Sequence, residues 1–356
     1  MSLKMETIAE GILRCVSVEN VVFFIVKDTH SATPPANVGR PTNGGIRIQD
    51  YPDEDSAISE ALSLAKRMTY KNALYNTGFG GVKIVVSTCL DNLDKHALMD
   101  AIATALETLE GSVYTGCDLN TSEADMYYLT QKSPYVLAGI GSNINPDKTT
   151  ASGVYGTILG VIGENKIQNS CFLIHGMGKV GLALAKQLNE KGATILSYDV
   201  LPERAEQSDF KNVSSQSQWW KLSFDVLVLC SSSNIVTPEI AQQLSCKTLV
   251  GSSNKFFSDT DAVTRILQQR NIVWIPEIVS SAGAVISDSI EHYAPEVFQQ
   301  AKPEEVYDFI GDLTFKQTSK LLAQDNHSRD MNQRLHHLVY RKEFGSVCGL
   351  NFQSTS

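Results

Sequence analysis

Two lysines, Lys71 and Lys83, are the first residues in the sequence whose type and spacing could do chemistry. A lysine amine acts as a general base only when its pKa falls several units below its ordinary value of about 10.4; burial and a neighbouring cation both lower it. Most lysines are solvated surface cations instead. Lys83 lies between Gly80-Gly81 and the apolar run Ile84-Val85-Val86, an odd place for a solvated side chain. Lys71 follows Met68 by three residues and so borders the apolar face of its helix. A helix end, a glycine turn and a strand can fold the two amines into one cleft. Further on, Asp118 in Gly116-Cys117-Asp118-Leu119-Asn120-Thr121 is either an acid capping the next helix or a proton-transfer group.

The elements that must position these groups are legible from periodicity. Ile58, Ala61, Leu62, Ala65 and Met68 recur at helical spacing, which predicts a helix from Asp55 to Leu74 broken at Asn76-Thr77-Gly78. Val82–Val86 reads as a short buried strand, and Gly45–Ile48 as another ending at Tyr51-Pro52-Asp53. Residues 6–14 read as a short helix and Val21–Val26 as a strand, with a proline-rich loop from His30 to Asn43. His96–Leu109 is a second long helix, Val113–Thr115 a brief strand, and Thr121 the expected cap of the helix that follows. The polar stretch Ser142–Thr149 is read as the boundary between two halves.

Beyond it the pattern alternates. A helix over Gly153–Gly163 leads to strands at Cys171–Ile174, Thr194–Asp199, Phe224–Cys230, Thr248–Val250 and Ile272–Trp274, with a helix over Leu182–Lys191. This predicts a parallel sheet covered on both faces, closed by helices over Glu304–Leu322 and Arg329–Tyr340. Gly176, Gly178 and Gly181 form GxGxxG between the first of these strands and its helix. The first glycine permits the turn, the second admits a pyrophosphate, and the third lets helix and strand pack. Lys179, Val180 and Cys230 join the glycines as candidate cofactor-binding residues. Asp199 ends the second strand, where a carboxylate would hold ribose hydroxyls and repel a 2′-phosphate, favouring NAD over NADP.

The bulk properties narrow the partners. With 356 residues the chain is long enough for two domains. A net charge of -9 argues against nucleic acid and anionic membranes. No apolar run is long enough to span a bilayer, and the first residues lack the apolar core of a signal peptide. Seven cysteines without a CxxC pair point to reduced thiols and a cytoplasmic location. The Cys and His residues do not cluster at metal-ligand spacing, so no metal is expected.

The combination GGIRI, MTYKNA, GGVKIVV and YTGCDLNTSEADM resembles the Glu/Leu/Phe/Val amino-acid dehydrogenase superfamily, most of all its hydrophobic-amino-acid branch. The match is dense over residues 44–128 and thinner to about residue 290. The resemblance implies an α/β chain of two domains with a cleft between them. Residues 1–145 plus about 326–356 would bind substrate and oligomerise, and residues 146–325 would form a Rossmann-like NAD-binding domain. It implies that Lys71 binds the substrate α-carboxylate, Lys83 activates water, and Asp118 exchanges protons with the amino group. Gly44 and Gly45 would line the substrate floor and Met68 would lie beside the substrate. Thr150 would sit near the nicotinamide amide and Asn254 on the cofactor ribose side. It further implies NAD-dependent oxidative deamination by a homo-oligomer, releasing ammonia and a 2-oxo acid.

Several positions depart from the family pattern. Asn43 stands where glutamate-specific relatives carry a lysine before the glycine pair, which argues against an acidic substrate. With Met68, Gly116, Ser281 and Val285 as remaining pocket candidates, a hydrophobic or aromatic L-amino acid is expected. Leucine, valine, phenylalanine and tryptophan all stay open. Ser281 replaces the asparagine of the family's Asn-Ala-Gly-Gly stretch, and Cys117, read as a small buried filler, replaces an acid. His175 is read as a packed strand end and His336-His337 as a surface pair. Two other readings compete: a non-catalytic nucleotide or amino-acid sensor on the same fold, and a dehydrogenase of another class. The joint presence of Lys71, Lys83 and Asp118 weighs against the first. The second, if a hydroxy-acid enzyme, would require a histidine–carboxylate pair that no motif supplies.

Overall fold

The computed structural model describes residues 3–29, 33–91, 93–206, 209–324, 330–341 and 344–354. The expected loop start at His30 and helix start at Arg329 lie outside them. The first half comprises β1 (Lys4–Ala9), β2 (Ile12–Val16), β3 (Val22–Lys27), β4 (Thr42–Asn43), β5 (Ile46–Gln49), α1 (Glu54–Tyr75), β6 (Gly80–Ser87), α2 (Lys95–Thr108), β7 (Val113–Tyr114) and α3 (Glu123–Thr130). The second half begins with α4 (Pro146–Ile162), β8 (Cys171–His175), α5 (Lys179–Glu190), β9 (Thr194–Tyr198), α6 (Pro202–Glu206), β10 (Lys211–Asn212), β11 (Val226–Leu229) and α7 (Pro238–Gln243). It continues with β12 (Thr248–Gly251), α8 (Thr260–Gln269), β13 (Val273–Trp274), α9 (Glu277–Ser280), α10 (Gly283–Tyr293), α11 (Pro295–Gln300), α12 (Pro303–Ala323) and α13 (Met331–Val339).

The first sheet runs β1-β2-β3-β6-β4-β7, with β5 also pairing β6. β6 lies antiparallel to β3 and parallel to β4 and β5. Strand alternation sends Val82, Ile84 and Val86 to the core under α2, where they meet Phe23, Ile46 and Leu98. Val85 faces the other way, against Ala57, Ala61 and Ala65 of α1, and Lys83 shares that face. α1 starts where the Asp53 carboxylate accepts the Ser56 N–H at 2.7 Å and ends at Asn76, whose φ of 49° is left-handed.

The second sheet is wholly parallel in the order β10-β9-β8-β11-β12-β13. Apolar side chains cover both faces: Phe172, Ile174, Val226 and Val228 on one, Leu173, Leu227, Leu229 and Leu249 on the other. α12 lies against α4, where Gly156 approaches the Gly311 carbonyl too closely for any side chain.

Three expectations fail. Residues 6–14 form an antiparallel hairpin, β1 and β2, because β2 pairs with β3 inside the sheet and β1 adds to it as the edge strand. The helix expected from Gly153 starts seven residues earlier, inside the stretch read as the boundary: Asn145 caps α4 by accepting the N–H groups of Asp147 and Lys148, and Pro146 occupies the first turn. Ser122, not Thr121, caps α3, through a reciprocal pair of bonds with Asp125. The C-terminal residues touch both halves: the Asn76 amide donates to the carbonyls of Gly345 and Ser346, while the Gly349 N–H donates to Ser289 of α10.

Candidate active site

Gly81 lets α1 and β6 come together, since a Cβ there would collide with the Ala65 carbonyl and the Thr69 amide of α1. The close approach brings Lys71, late on α1, and Lys83, on β6, to one cleft between the halves. Lys71 is 9% exposed and Lys83 6%. The Lys83 ammonium contacts Asp118 Oδ2 at 2.7 Å. Arg47 Nε reaches the same oxygen at 2.9 Å, and Arg47 Nη1 reaches Glu60 at 2.7 Å. The Lys71 ammonium donates to the Ser281 carbonyl at 3.1 Å, and Arg67 pairs with Glu277 nearby.

The turn carrying Asp118 is fixed locally. The Thr121 hydroxyl accepts the Asp118 N–H at 2.9 Å and lies within hydrogen-bond distance of the Asp118 and Ile46 carbonyls. Gly45 allows β5 to pass beneath: a Cβ there would stand 2.6 Å from the Cys117 carbonyl and 2.9 Å from Asp118 Cβ. The residue expected to cap α3, Thr121, thus ties the acid to the strand that carries Arg47.

The electrostatics follow from burial and these neighbours. Burial, with the charges of Arg67 and Lys83, pushes Lys71 down to about 7. Burial also lowers Lys83, although Asp118 opposes the shift. Burial alone would raise Asp118, but Lys83 and Arg47 together hold its carboxyl well below the usual carboxylate range. The cleft therefore holds one acid as its anion and two amines that surrender protons more readily than lysines in water.

The cleft has a volume of about 170 Å³. Asn43, Gly45, Met68, Gly116, Asn254, Ser281 and Val285 line it, as do Lys71, Lys83 and Asp118. Gly44 lies behind Gly45 against the Val82 carbonyl. Thr149 lines the cleft, whereas the Thr150 hydroxyl turns back to the Pro146 carbonyl. Cys117 is exposed at the cleft rather than buried as filler, because the Asp118 turn carries it outward.

Two family models match this chain. The description "Glu/Leu/Phe/Val dehydrogenase, dimerisation domain" covers residues 36–135, and "Glutamate/Leucine/Phenylalanine/Valine dehydrogenase" covers residues 198–349. The chain belongs to the Glu/Leu/Phe/Val dehydrogenase superfamily, on its leucine/phenylalanine branch. A leucine dehydrogenase of Thermoactinomyces intermedius is 29% identical over 282 residues, covering 76% of each chain. A phenylalanine dehydrogenase of Bacillus thermotolerans is 28% identical over 330 residues, covering 86% of this chain and 85% of its own. Among solved structures, the L-tryptophan dehydrogenase from Nostoc punctiforme superposes with a TM-score of 0.72 at 22% identity, covering 92% of this chain and 93% of that one. The hetero-hexameric glutamate dehydrogenase from Thermus thermophilus gives 0.74 at 16%, over 95% and 86%. These two likenesses speak for the fold: an N-terminal domain and a Rossmann-like one.

In this dehydrogenase the glycine loop fits a dinucleotide. Gly176, at φ +104°, leaves no room for a Cβ beside the Cys230 carbonyl, and Gly181 packs on the Gly176 carbonyl. At Gly178 nothing stands within 4 Å of where a Cβ would be, and no side chain caps α5 there. That leaves first-turn N–H groups and open space for phosphate. The Asp199 carboxylate accepts the Met177 N–H at 2.7 Å and the Leu201 N–H at 3.0 Å, so it braces the loop. Lys179 is exposed, 3.8 Å from Asp147, while Val180 packs partly into the core. Cys230 backs the loop, and burial raises its thiol. His175 is buried and bonded to Ser231 at 2.7 Å; His336 and His337 are exposed.

The sequence reading missed Arg47, Arg67 and Asp288 as cleft residues. Arg47 carried a signal: it is the lone charge in an apolar strand. Asp288 carried another, three residues after Val285 and therefore on the same helix face.

Proposed function

We propose that this amino-acid dehydrogenase catalyses reversible, NAD-dependent oxidative deamination of a hydrophobic or aromatic L-amino acid to its 2-oxo acid and ammonia. The observation that carries this reading is the 2.7 Å contact between Lys83 and Asp118 in a cleft that also holds the buried Lys71.

Protonated Lys71 binds the substrate carboxylate, helped by the positive charge of Arg67. Asp118 takes a proton from the substrate ammonium. While Lys83 is cationic, Asp118 is a weak base. When Lys83 loses its proton, Asp118 loses its nearest cation and gains basicity. The two groups therefore work as a coupled pair. Bound NAD supplies the hydride acceptor that leaves the substrate as an imine. Neutral Lys83 then takes a proton from the water attacking that imine, and returns it as ammonia departs. The loop at Gly176–Gly181 and the first turn of α5 would hold the pyrophosphate, and Asp199 would disfavour a 2′-phosphate.

Asn43 at the pocket's far end offers no cation to a second carboxylate, which supports a non-acidic substrate. Leu137, Ile144 and Val285 supply apolar walls. A homo-oligomer fits the matched dimerisation domain, and unpaired cysteines fit a cytoplasmic setting. The test follows NADH absorbance with a panel of L-amino acids, and in reverse with 2-oxo acids and ammonia. Turnover of hydrophobic or aromatic members is expected. Bound NAD without turnover of any member would favour the sensor reading.

A further inference from the structure

We infer that Asp288, positioned by Asn43, is the specificity-determining residue of the side-chain pocket and selects an L-amino acid whose side chain ends in an N–H or O–H donor. The inference rests on the deamination reading and revises its side-chain class: donor-tipped aromatic side chains stay within it, and ammonium-tipped ones are added to it.

Asp288 lines the same cleft as Lys71, Lys83 and Asp118. It sits on α10, three residues after Val285, which also lines the cleft. The Ser281 carbonyl that receives Lys71 lies just before α10, so the carboxylate end of the substrate belongs there. Asp288 stands five residues beyond Gly283, about 7.5 Å further along the helix axis. That distance matches the reach of a long side chain from its α-carbon.

Asn43 holds the acid in place. Its amide donates to Asp288 Oδ2 at 2.7 Å, and Asn43 is itself 1% exposed. Between the two ends the walls are Leu137, Ala138, Ile144 and Val285, which suit the body of a side chain rather than its tip.

The acid has no cation. Among the described residues no lysine, arginine or histidine pairs with Asp288, and its charged neighbour is another acid, Glu291. Glu291 is engaged by the Gly139 N–H at 3.0 Å. Burial, together with Glu291, pushes Asp288 well above the usual carboxylate range. Asp288 is half-buried at the cleft wall, and a bound side chain would close it off; facing the methyl groups of leucine or the ring edge of phenylalanine, its carboxyl would keep that penalty in the complex. A donor at the substrate's tip removes it, whether a neutral indole N–H or phenol O–H, or an ammonium. An ammonium would also draw Asp288 back towards its anion.

The experiment measures kcat/KM of the full-length enzyme with saturating NAD for tryptophan, tyrosine, lysine, ornithine, leucine and phenylalanine. Tyrosine should exceed phenylalanine, or lysine and ornithine should exceed leucine, by about tenfold to a hundredfold. Asp288→Val should erase that advantage and improve leucine or phenylalanine. Asp288→Asn keeps an acceptor oxygen without the charge, and it guards against a valine variant that fails to fold. It should spare the neutral donors if they are the source and collapse turnover of the cationic ones if those are. Leucine and phenylalanine preferred by the native enzyme, or both variants leaving the substrate ratios unchanged, would overturn the inference and leave deamination standing. No turnover of any amino acid would overturn both.

Discussion

Lys83 and Asp118 meet at 2.7 Å, and the carboxylate oxygen they share is also bound by Arg47 at 2.9 Å. One anion between two cations is easily held as an anion. One lysine between that anion and a guanidinium feels opposing pulls. Burial depresses Lys83 most, Asp118 restores part of the loss, and Arg47 depresses it further. The position of Lys83 on the pH scale is thus tuned in part by a residue that need not touch substrate.

Replacing Arg47 with methionine should expose this. Without the guanidinium, Lys83 keeps the raising influence of Asp118 and loses a lowering one, so its pKa rises. Deamination needs Lys83 neutral, so the acidic limb of the kcat profile should move to higher pH. Each unit of movement costs about tenfold in kcat below the limb. Activity should recover at alkaline pH, which a merely misfolded variant would not show. An acidic limb that stays in place, measured from pH 6 to 11, rules out this role.

Lys71 gives a second pH signature. In the ligand-free cleft it titrates at about 7, and only its cation pairs with a carboxylate. The pair raises Lys71 in the complex, so affinity is full below pH 7 and is lost as pH rises above it. The dissociation constant of a 2-oxo acid, titrated against the enzyme with reduced cofactor, should weaken up to about tenfold per pH unit above 7. The same linkage bears on stability. The unfolded chain holds this proton up to about pH 10.4, so the contribution of Lys71 to folding stability rises between pH 7 and that value. Binding that is flat from pH 6 to 9 would show that Lys71 does not hold the carboxylate.

Much of this was legible from residue types because the signals were local. Lys83 announced itself by interrupting an apolar strand, and the α1 stripe announced the helix that carries Lys71. The glycine loop was readable because strand, turn and helix are contiguous. What failed was non-local. Residues 6–14 contain apolar residues compatible with a helix, and only pairing with β3 makes Ile12–Val16 a strand. Arg47 and Asp118 lie 71 residues apart, and no periodicity reports their contact. Asn43 and Asp288 are separated by 245 residues, so their contact, unlike the helix face that Asp288 shares with Val285, came from the fold alone. Thr121 misled because its neighbour Ser122 has the same capping chemistry, and the choice between them was made by the Asp118 turn.

The glycine loop offers a prediction in which fold and cofactor part company. A Cβ on Gly181 would strike the Gly176 carbonyl, so Gly181→Ala must push strand and helix apart. Overpacking of this kind costs about 1–3 kcal/mol, which thermal denaturation would register as a drop of several degrees in Tm. A Cβ on Gly178 meets nothing within 4 Å, and its φ of -70° suits alanine. Gly178→Ala should therefore leave Tm within a few degrees of native. It should still weaken NADH by tenfold or more, because the methyl group occupies the space through which a phosphate reaches the first-turn N–H groups of α5. NADH affinity follows from the fluorescence of the bound nicotinamide, and Tm from calorimetry on the same samples. If Gly178→Ala binds NADH as tightly as the native chain, the phosphate does not sit at the head of α5, and the assignment of Gly176–Gly181 as its cradle fails with it.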